Sequence, residues 1–168
     1  MKHLFLVLFA AVCFSGIAQT SDQSITRFRN IPWGSHRDSI SVNGKKQEFV
    51  KDKNSLIKNA YMVINDNMTI GNVRLNKLNY IFNDEGRFIK VYAEGVKEDS
   101  EQMRFILEYK FGAFKNESKV DNVNYRQWIV RDVVFTLGTM EKANFELKIE
   151  SNWQASEAYR RNTSVEDF

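Results

Sequence analysis

Apolar residues occupy every second position in several segments of the chain. Phe145, Leu147 and Ile149, for example, alternate with charged residues, and such alternation is typical of a strand with one buried face and one face in water. The segments with strand signals are residues 61–70, 73–82, 88–93, 125–130, 133–137 and 145–149. A change of phase between Leu75 and Leu78 predicts a bulge in the second of these strands. The turn-forming residues 83–86 predict a hairpin between the second and the third.

Two other segments are predicted to be helical. Residues 99–112 carry apolar residues at helical spacing and end at Gly112, which is a helix stop. Residues 35–42 begin with a capping-box pattern, Ser35 followed by Asp38, and end at Asn43-Gly44. The sequence therefore predicts an α+β fold with an antiparallel sheet and two helices. The order of elements suggests two αβββ units, an expectation that rests on topology alone because the two halves do not match in sequence.

The beginning of the chain has the features of a secretory signal peptide. Lys2 precedes an apolar run of about eleven residues, which is shorter than the ~20 residues that span a bilayer. Gly16 and Ala18 supply the small residues of a cleavage site; an uncleaved membrane anchor is the alternative. We expect residues 1–18 to be removed, 19–27 to form a leader, 28–151 to fold as one domain and 152–168 to form a polar tail. The mature protein would be periplasmic or extracellular, without a transmembrane segment.

Removal of the signal peptide changes which ligands the chain can offer. Cys13, the only cysteine, and His3 are lost, and removing Lys2 from the 24 basic residues leaves 23 against 21 acidic ones. One histidine without a cysteine does not make any of the usual zinc sets, so we expect no metal and no cofactor. A nearly balanced charge does not favour nucleic acid as a partner.

The segment Phe28-Arg29-Asn30-Ile31-Pro32-Trp33-Gly34-Ser35 is the most distinctive stretch of the chain. It resembles the opening of a family of small exported proteins of Gram-negative bacteria, in which an Ile-Pro-Trp-Gly-Ser/Thr segment leads into a short helix and to which no function has been assigned. Two later segments, 80–82 and 109–112, resemble further landmarks of the same family. At the level of fold, the predicted units are similar to those of β-lactamase-inhibitor proteins and of the small α+β lipoprotein of the outer-membrane assembly machine. A likeness of fold does not imply a function.

Trp33, within this segment, and His36, directly after it, both have structural explanations. We expect Trp33 to lie in the core, because an aromatic residue beside a helix cap usually packs inward. His36 lies between Ser35 and Asp38, but neighbours within one turn do not converge as a catalytic triad must. We therefore expect no catalytic residue here.

The remaining aromatic residues suggest a binding surface. If Tyr80, Phe88, Tyr92 and Trp128 share the outer face of the sheet, they form an aromatic patch, and Tyr92 and Trp128 are its candidate binding residues. The sequence therefore favours a non-catalytic binding or scaffold module over an enzyme. The alternative is a small hydrolase with dispersed carboxylates, which would require two facing acids in a cleft. The ligand, the partner and the oligomeric state are not predicted.

Overall fold

The computed structural model describes residues 25–140 and 142–153. One α-helix, α1 (Ser100–Phe111), accompanies a largely antiparallel set of strands within these residues, and two single-turn 3₁₀ helices lie at Arg37–Ser39 and Lys97–Asp99. The strands are β1 (Arg27–Phe28), β2 (Ile31–Pro32), β3 (Ser41–Val42), β4 (Lys45–Lys46), β5 (Phe49–Lys51), β6 (Ala60–Val63), β7 (Thr69–Ile70), β8 (Val73–Phe82), β9 (Phe88–Gly95), β10 (Asn116–Val120), β11 (Val123–Val130), β12 (Val133–Met140) and β13 (Phe145–Ser151).

The main sheet has the strand order β10-β11-β12-β13-β9-β8-β6-β5, and β7 pairs with β8 beside this path. All of its pairings are antiparallel. The chain leaves β9, forms α1, and then runs through β10 to β13 so that β13 returns beside β9. Because α1 connects the two halves of one sheet, it packs across one face of that sheet.

The two faces of the sheet differ in chemistry. Met103 and Leu107 of α1 are buried in one core with the apolar residues of the strands. The strand residues on this helix-covered face include Val73, Leu75, Leu78, Tyr80, Phe82, Val91, Ala93, Trp128, Phe135, Leu137, Phe145, Leu147 and Ile149. The alternate residues of β9 and β13 point the other way and are half-buried polar residues, because successive side chains of a strand face opposite sides.

Much of the predicted secondary structure is confirmed. The helix predicted at 99–112 is α1, and the predicted hairpin is β8 and β9, with a register shift between Leu75 and Lys77 where the bulge was expected. The three last predicted strands are β11, β12 and β13. The α+β class is confirmed, but the structure has one α-helix in its described part and not two.

The helix predicted at 35–42 is wrong. Only one 3₁₀ turn forms there, and the chain is extended again at Ile40, with φ −71° and ψ 125°. Asn43 and Gly44 both have positive φ, 53° and 74°, and they join β3 to β4 as a two-residue hairpin turn. An Asn-Gly pair is a strong hairpin signal as well as a helix stop, and here the hairpin forms. Without this helix there is no repeat of αβββ units.

Residues 116–124 lie outside every segment that carries a strand signal, yet they contribute a strand to the main sheet. They form β10 and the turn at Asp121 and Asn122, whose φ angles are 46° and 66°. All five residues of β10 are exposed, since the strand lies at the edge of the sheet and needs no apolar face. Charged residues on an edge strand also discourage pairing with another chain.

Candidate functional site

A cavity of about 410 Å³ opens on the helix-covered side of the sheet. Its floor consists of the core side chains Phe135, Leu147 and Ile149, all of them buried. One wall is the segment that includes Ile25, Arg27, Phe28, Arg29 and Trp33; the other is the α1 surface formed by Ile106, Leu107, Lys110 and Phe111; and one end is closed by Thr69, Ile70 and Gly71. We call this cavity the α1 groove.

Trp33 holds the first wall of the α1 groove in place. Its indole stacks on Phe88 with ring centroids 4.6 Å apart, and its Nε1–H donates to the carbonyl of Ile25 at 3.0 Å. Its backbone N–H donates to Thr26 O at 3.1 Å. The prediction that Trp33 is a core residue is confirmed, since only 8% of its surface is exposed. Trp33 thus ties Ile25 and Thr26 to the sheet and fixes this wall in place.

The glycine of the same motif has a specific role. Gly34 has φ +78°, and a Cβ at this position would overlap the indole of Trp153. Its N–H donates to Phe88 O at 2.8 Å, and the N–H of Phe88 donates to Ser35 O at 3.0 Å. The Ile-Pro-Trp-Gly-Ser segment therefore attaches the first wall to the start of β9 through both its backbone and its side chains.

The helical wall follows from the spacing of residues in α1. Leu107 and Phe111 lie four residues apart, as do Ile106 and Lys110, so each pair lies on one side of the helix. Phe111 contacts Phe135 of the floor with ring centroids 4.5 Å apart. At the end of the helix the Trp128 Nε1–H donates to Gly112 O at 2.9 Å. This bond fixes the end of α1 to β11 because a helix leaves its last carbonyls without intrahelical partners.

The end of the α1 groove is closed by the turn between β7 and β8. Gly71 has φ +60°, and a Cβ there would lie 3.0 Å from Cδ1 of Ile106. Glycine accommodates both the left-handed backbone and the close approach of this turn to α1.

The charges around the α1 groove are all positive. Its lining includes Arg27, Arg29 and Lys110 and no acidic residue among the described ones. Arg29 is engaged: it donates to Asp66 Oδ1 and to Thr69 O, both at 2.5 Å. Arg27 and Lys110 are exposed, and neither forms an ion pair with a carboxylate in the described part of the chain.

Asp66 connects the first wall to the core. The Tyr80 hydroxyl donates to its Oδ2 at 2.7 Å. Burial, followed by the charge of Asp66, raises the pKa of Tyr80 well above its usual range, so that the phenol stays protonated as a donor. The turn at Asn65-Asp66-Asn67 thus holds Arg29 and Tyr80 together.

The predicted aromatic patch does not form. Trp128 pairs with Phe135 and is 1% exposed, on the helix-covered face. Tyr80 and Phe88 are also buried in that core. Tyr92 lies on the opposite face, between Asn79 and Lys148. Tyr92 and Trp128 therefore cannot form one surface, because the register of the intervening strands assigns them to different sides of the sheet.

Tyr92 belongs instead to a polar cluster on the outer face. Its hydroxyl donates to Glu94 Oε1 at 2.8 Å and lies 3.5 Å from Glu146 Oε2, while Lys148 Nζ donates to Glu146 Oε1 at 2.8 Å. Burial, together with these two carboxylates, raises the pKa of Tyr92 above its usual range. Glu94 and Glu146 are direct register partners. The hydrolase alternative requires two facing acids in a cleft; these two face each other, but they lie on the sheet surface and not in the α1 groove.

His36 has a local structural role. Its Nδ1 accepts from the N–H of Asp38 at 3.4 Å, so that His36, and not Ser35, caps the short 3₁₀ turn. It borders a polar cavity of about 290 Å³ beside the β8–β9 turn. Asp84 lines this cavity and lies 2.8 Å from Lys58, and this pairing lowers the pKa of Asp84. Among residues 25–140 and 142–153, no group of three or more His, Cys, Asp or Glu side chains could hold a metal ion.

Comparison with known proteins gives no match: no protein-family model, no curated protein and no solved structure is significantly similar to the chain. Within the described residues, no helix is both long and apolar enough to cross a membrane. The site rests on the geometry of this chain alone. The sequence does not indicate that Arg27, Ile70, Ile106 and Lys110 line one cavity. Only the helical spacing of Ile106 and Lys110 indicates that two of them lie on the same side of a helix.

Proposed function

We propose that the chain is a non-catalytic binding module whose ligand places an apolar segment in the α1 groove. The observation that carries this proposal is an apolar cavity of about 410 Å³ with a buried floor and no acidic lining residue among those described. Small-molecule sites are typically concave, mostly apolar and about 300–1,000 Å³ in volume. The α1 groove has these properties, whereas the outer face of the sheet presents polar side chains that are already paired with one another.

The composition of the lining supports binding more than turnover. The described lining contains no histidine and no carboxylate that could act as a general base, and a general base must lie within hydrogen-bond reach of the proton that it removes. A small hydrolase is the alternative, and the feature that favours it is the Glu94–Glu146 pair. Turnover in a panel of glycoside and ester substrates that is lost in Glu146→Gln would support that alternative.

We also propose that the protein is exported and that residues 1–18 are removed. Gly16 and Ala18 behind the short apolar run support this part of the proposal. Intact-mass measurement of the exported protein tests it, and a membrane-bound species that retains residues 1–18 would contradict it.

The binding proposal is tested with a neutral apolar probe and a blocked groove. N-phenyl-1-naphthylamine fluoresces in apolar surroundings and carries no charge. We expect it to bind the wild-type protein, and we expect Ile106→Trp to abolish binding because the larger side chain fills the space beside Gly71. The matched control is Phe105→Trp, one position away on α1, where the side chain is 65% exposed.

The outcome is unambiguous if both variants keep the melting temperature of the wild type. Should Ile106→Trp fail to fold, Ile70→Phe narrows the same end of the groove from β7. Absence of probe binding to the wild type, or equal binding by the blocked and control variants, would contradict the proposal.

A further inference from the structure

We propose that the ligand of the α1 groove is amphipathic and anionic: its apolar chain lies on the floor and its single carboxylate or phosphate lies between Arg27 and Lys110. This inference rests on the proposed function and adds the chemical class of the ligand. The observation behind it concerns the three cations of the lining, Arg27, Arg29 and Lys110, and the partners that each of them has.

One of the three cations, Arg29, bonds to other parts of the fold. The Arg29 guanidinium bonds to Asp66 and to the carbonyl of Thr69, and its side chain is 21% exposed. These bonds tie the first wall to the turn before β7. Arg29 therefore has a structural explanation and is not needed for a ligand.

The other two cations, Arg27 and Lys110, form no ion pair with a carboxylate in the described part of the chain. Arg27 belongs to β1 and pairs through its backbone with Pro32 of β2, which leaves its side chain exposed. Lys110 lies over the ring of Phe111, with Nζ 5.6 Å from the centroid, and is also exposed. One of these cations belongs to each wall of the α1 groove, so that a single anion bound there would have a positive charge on either side.

The end of α1 accounts for one of these two cations but not for the other. A lysine in the last turn of a helix is favoured by the helix dipole, which accounts for the charge of Lys110 without a ligand. The same explanation does not apply to Arg27, which lies on a strand. The carbonyl of Gly112 just after the helix already accepts from Trp128, so it is not directed at an anion in the opening.

The α1 groove combines an apolar floor with two cations on its walls. A neutral apolar ligand would use only the floor, and a cation would meet two like charges. An anion with an apolar chain uses both features at once, since guanidinium and ammonium groups bond carboxylates and phosphates through charge-assisted hydrogen bonds. The apolar chain is then removed from water, which supplies most of the binding free energy.

The test compares four ligands with the same twelve-carbon chain, each below its micellar concentration: dodecanoic acid, dodecyl phosphate, dodecanol and dodecyltrimethylammonium. Affinities for the wild type, for Arg27→Gln/Lys110→Gln and for Arg27→Glu/Lys110→Glu are measured by isothermal titration calorimetry at two salt concentrations. Lys119→Gln is the matched control, because Lys119 is an exposed residue of the edge strand β10.

We expect the wild type and the control to bind an acid about five- to tenfold more tightly than dodecanol at low salt, a ratio that lies within the range for two exposed ion pairs. The double glutamine variant should lose this preference without losing affinity for dodecanol, and the double glutamate variant should prefer the cationic ligand. The two acids separate a carboxylate head from a phosphate head. Equal affinity of the wild type for acid and alcohol, or a preference that survives in the double variants, would overturn this inference and leave the proposed function intact. Failure of all four ligands to bind would overturn both.

Discussion

The indole of Trp33 stacks on the ring of Phe88 with an angle of 16° between their planes and 4.6 Å between their centroids. This contact joins the first wall of the α1 groove to β9. Trp33 also donates to the carbonyl of Ile25. The same side chain therefore holds the start of the first wall against β9 and so helps to set the position of that wall.

Substitution of Trp33 by alanine is therefore expected to lower the free energy of unfolding by about 3–5 kcal/mol, the range for large aromatic truncations in a core. Trp33→Phe should lose less, since it keeps a ring against Phe88 and loses the hydrogen bond to Ile25 O. Equilibrium unfolding in urea measures both values. An unchanged midpoint for Trp33→Ala would mean that this residue does not belong to the core.

Substitutions of Trp128 and of Tyr92 are expected to lower the free energy of unfolding by different amounts, because the two residues lie on different faces of the sheet. Trp128→Ala should cost about 3–5 kcal/mol of unfolding free energy, and Trp128→Phe should cost less, about 0.5–1.5 kcal/mol for the lost hydrogen bond from Nε1–H to Gly112 O. Tyr92→Phe should cost less than Trp128→Phe, since Tyr92 is half-buried at the surface. Urea unfolding of the three variants measures this order, and a larger loss for Tyr92→Phe than for Trp128→Phe would contradict the assignment of faces.

Asp52 is expected to make stability depend on acid pH. The side-chain amide of Asn79 donates to Asp52 at 2.8 Å, the N–H of Asn54 donates at 2.9 Å and Lys77 lies 3.3 Å away. Of these the Asn79 bond is the largest cause that lowers the pKa of Asp52 below its ordinary value of 3.8, and burial opposes it.

A carboxyl group with a lowered pKa stabilises the folded state above its unfolded pKa. The contribution of Asp52 should therefore be complete above pH 3.8 and should disappear as the pH falls from that value through the lower folded pKa. We expect Asp52→Asn to be less stable than the wild type at neutral pH and to lose less stability across that acid range. Parallel acid-unfolding curves for the two proteins would contradict this role.

His36 is expected to be dispensable for binding. It lies outside the α1 groove, and its imidazole accepts a long bond of 3.4 Å from the backbone N–H of Asp38 and lies 3.9 Å from the Asp38 carboxylate. His36→Ala should change the unfolding free energy by about 0.5–1 kcal/mol, the lower range for loss of a cap, and should leave probe affinity unchanged. If this variant abolished binding or an activity found by screening, the assignment of His36 to a turn would be wrong.

The sequence predicts best the elements that depend on local periodicity. Residues such as Met103 and Leu107 recur at helical spacing and do lie inward on α1, and Leu75 and Leu78 lie on the two sides of the predicted bulge. The prediction of a helix stop at Asn43-Gly44 is wrong because the same pair can end a helix or turn a hairpin, and only pairing with a second strand decides between the two. The polar segment 116–124 has no apolar alternation, so the sequence does not indicate that β10 pairs with β11.

The candidate site required information that no local pattern contains. Tyr92 and Trp128 both lie on strands rich in aromatic residues, which predicts one shared patch, yet the register across β13 and β12 decides which face of the sheet each side chain is on. The α1 groove combines Arg27 with Lys110, which are more than eighty positions apart in the sequence. Their proximity arises from the docking of Trp33 on Phe88 and of α1 on the sheet.

The most direct test of the account is a methyl NMR titration of the protein, labelled at the isoleucine δ1 positions, with dodecanoic acid. Ile25, Ile70, Ile106 and Ile149 line the α1 groove, whereas Ile81 and Ile129 lie on the outer face of the sheet, beside Lys90 and Val134. We predict saturable shifts confined to the four groove methyls. Shifts centred on Ile81 and Ile129, or no saturable shift at any methyl, would contradict the account.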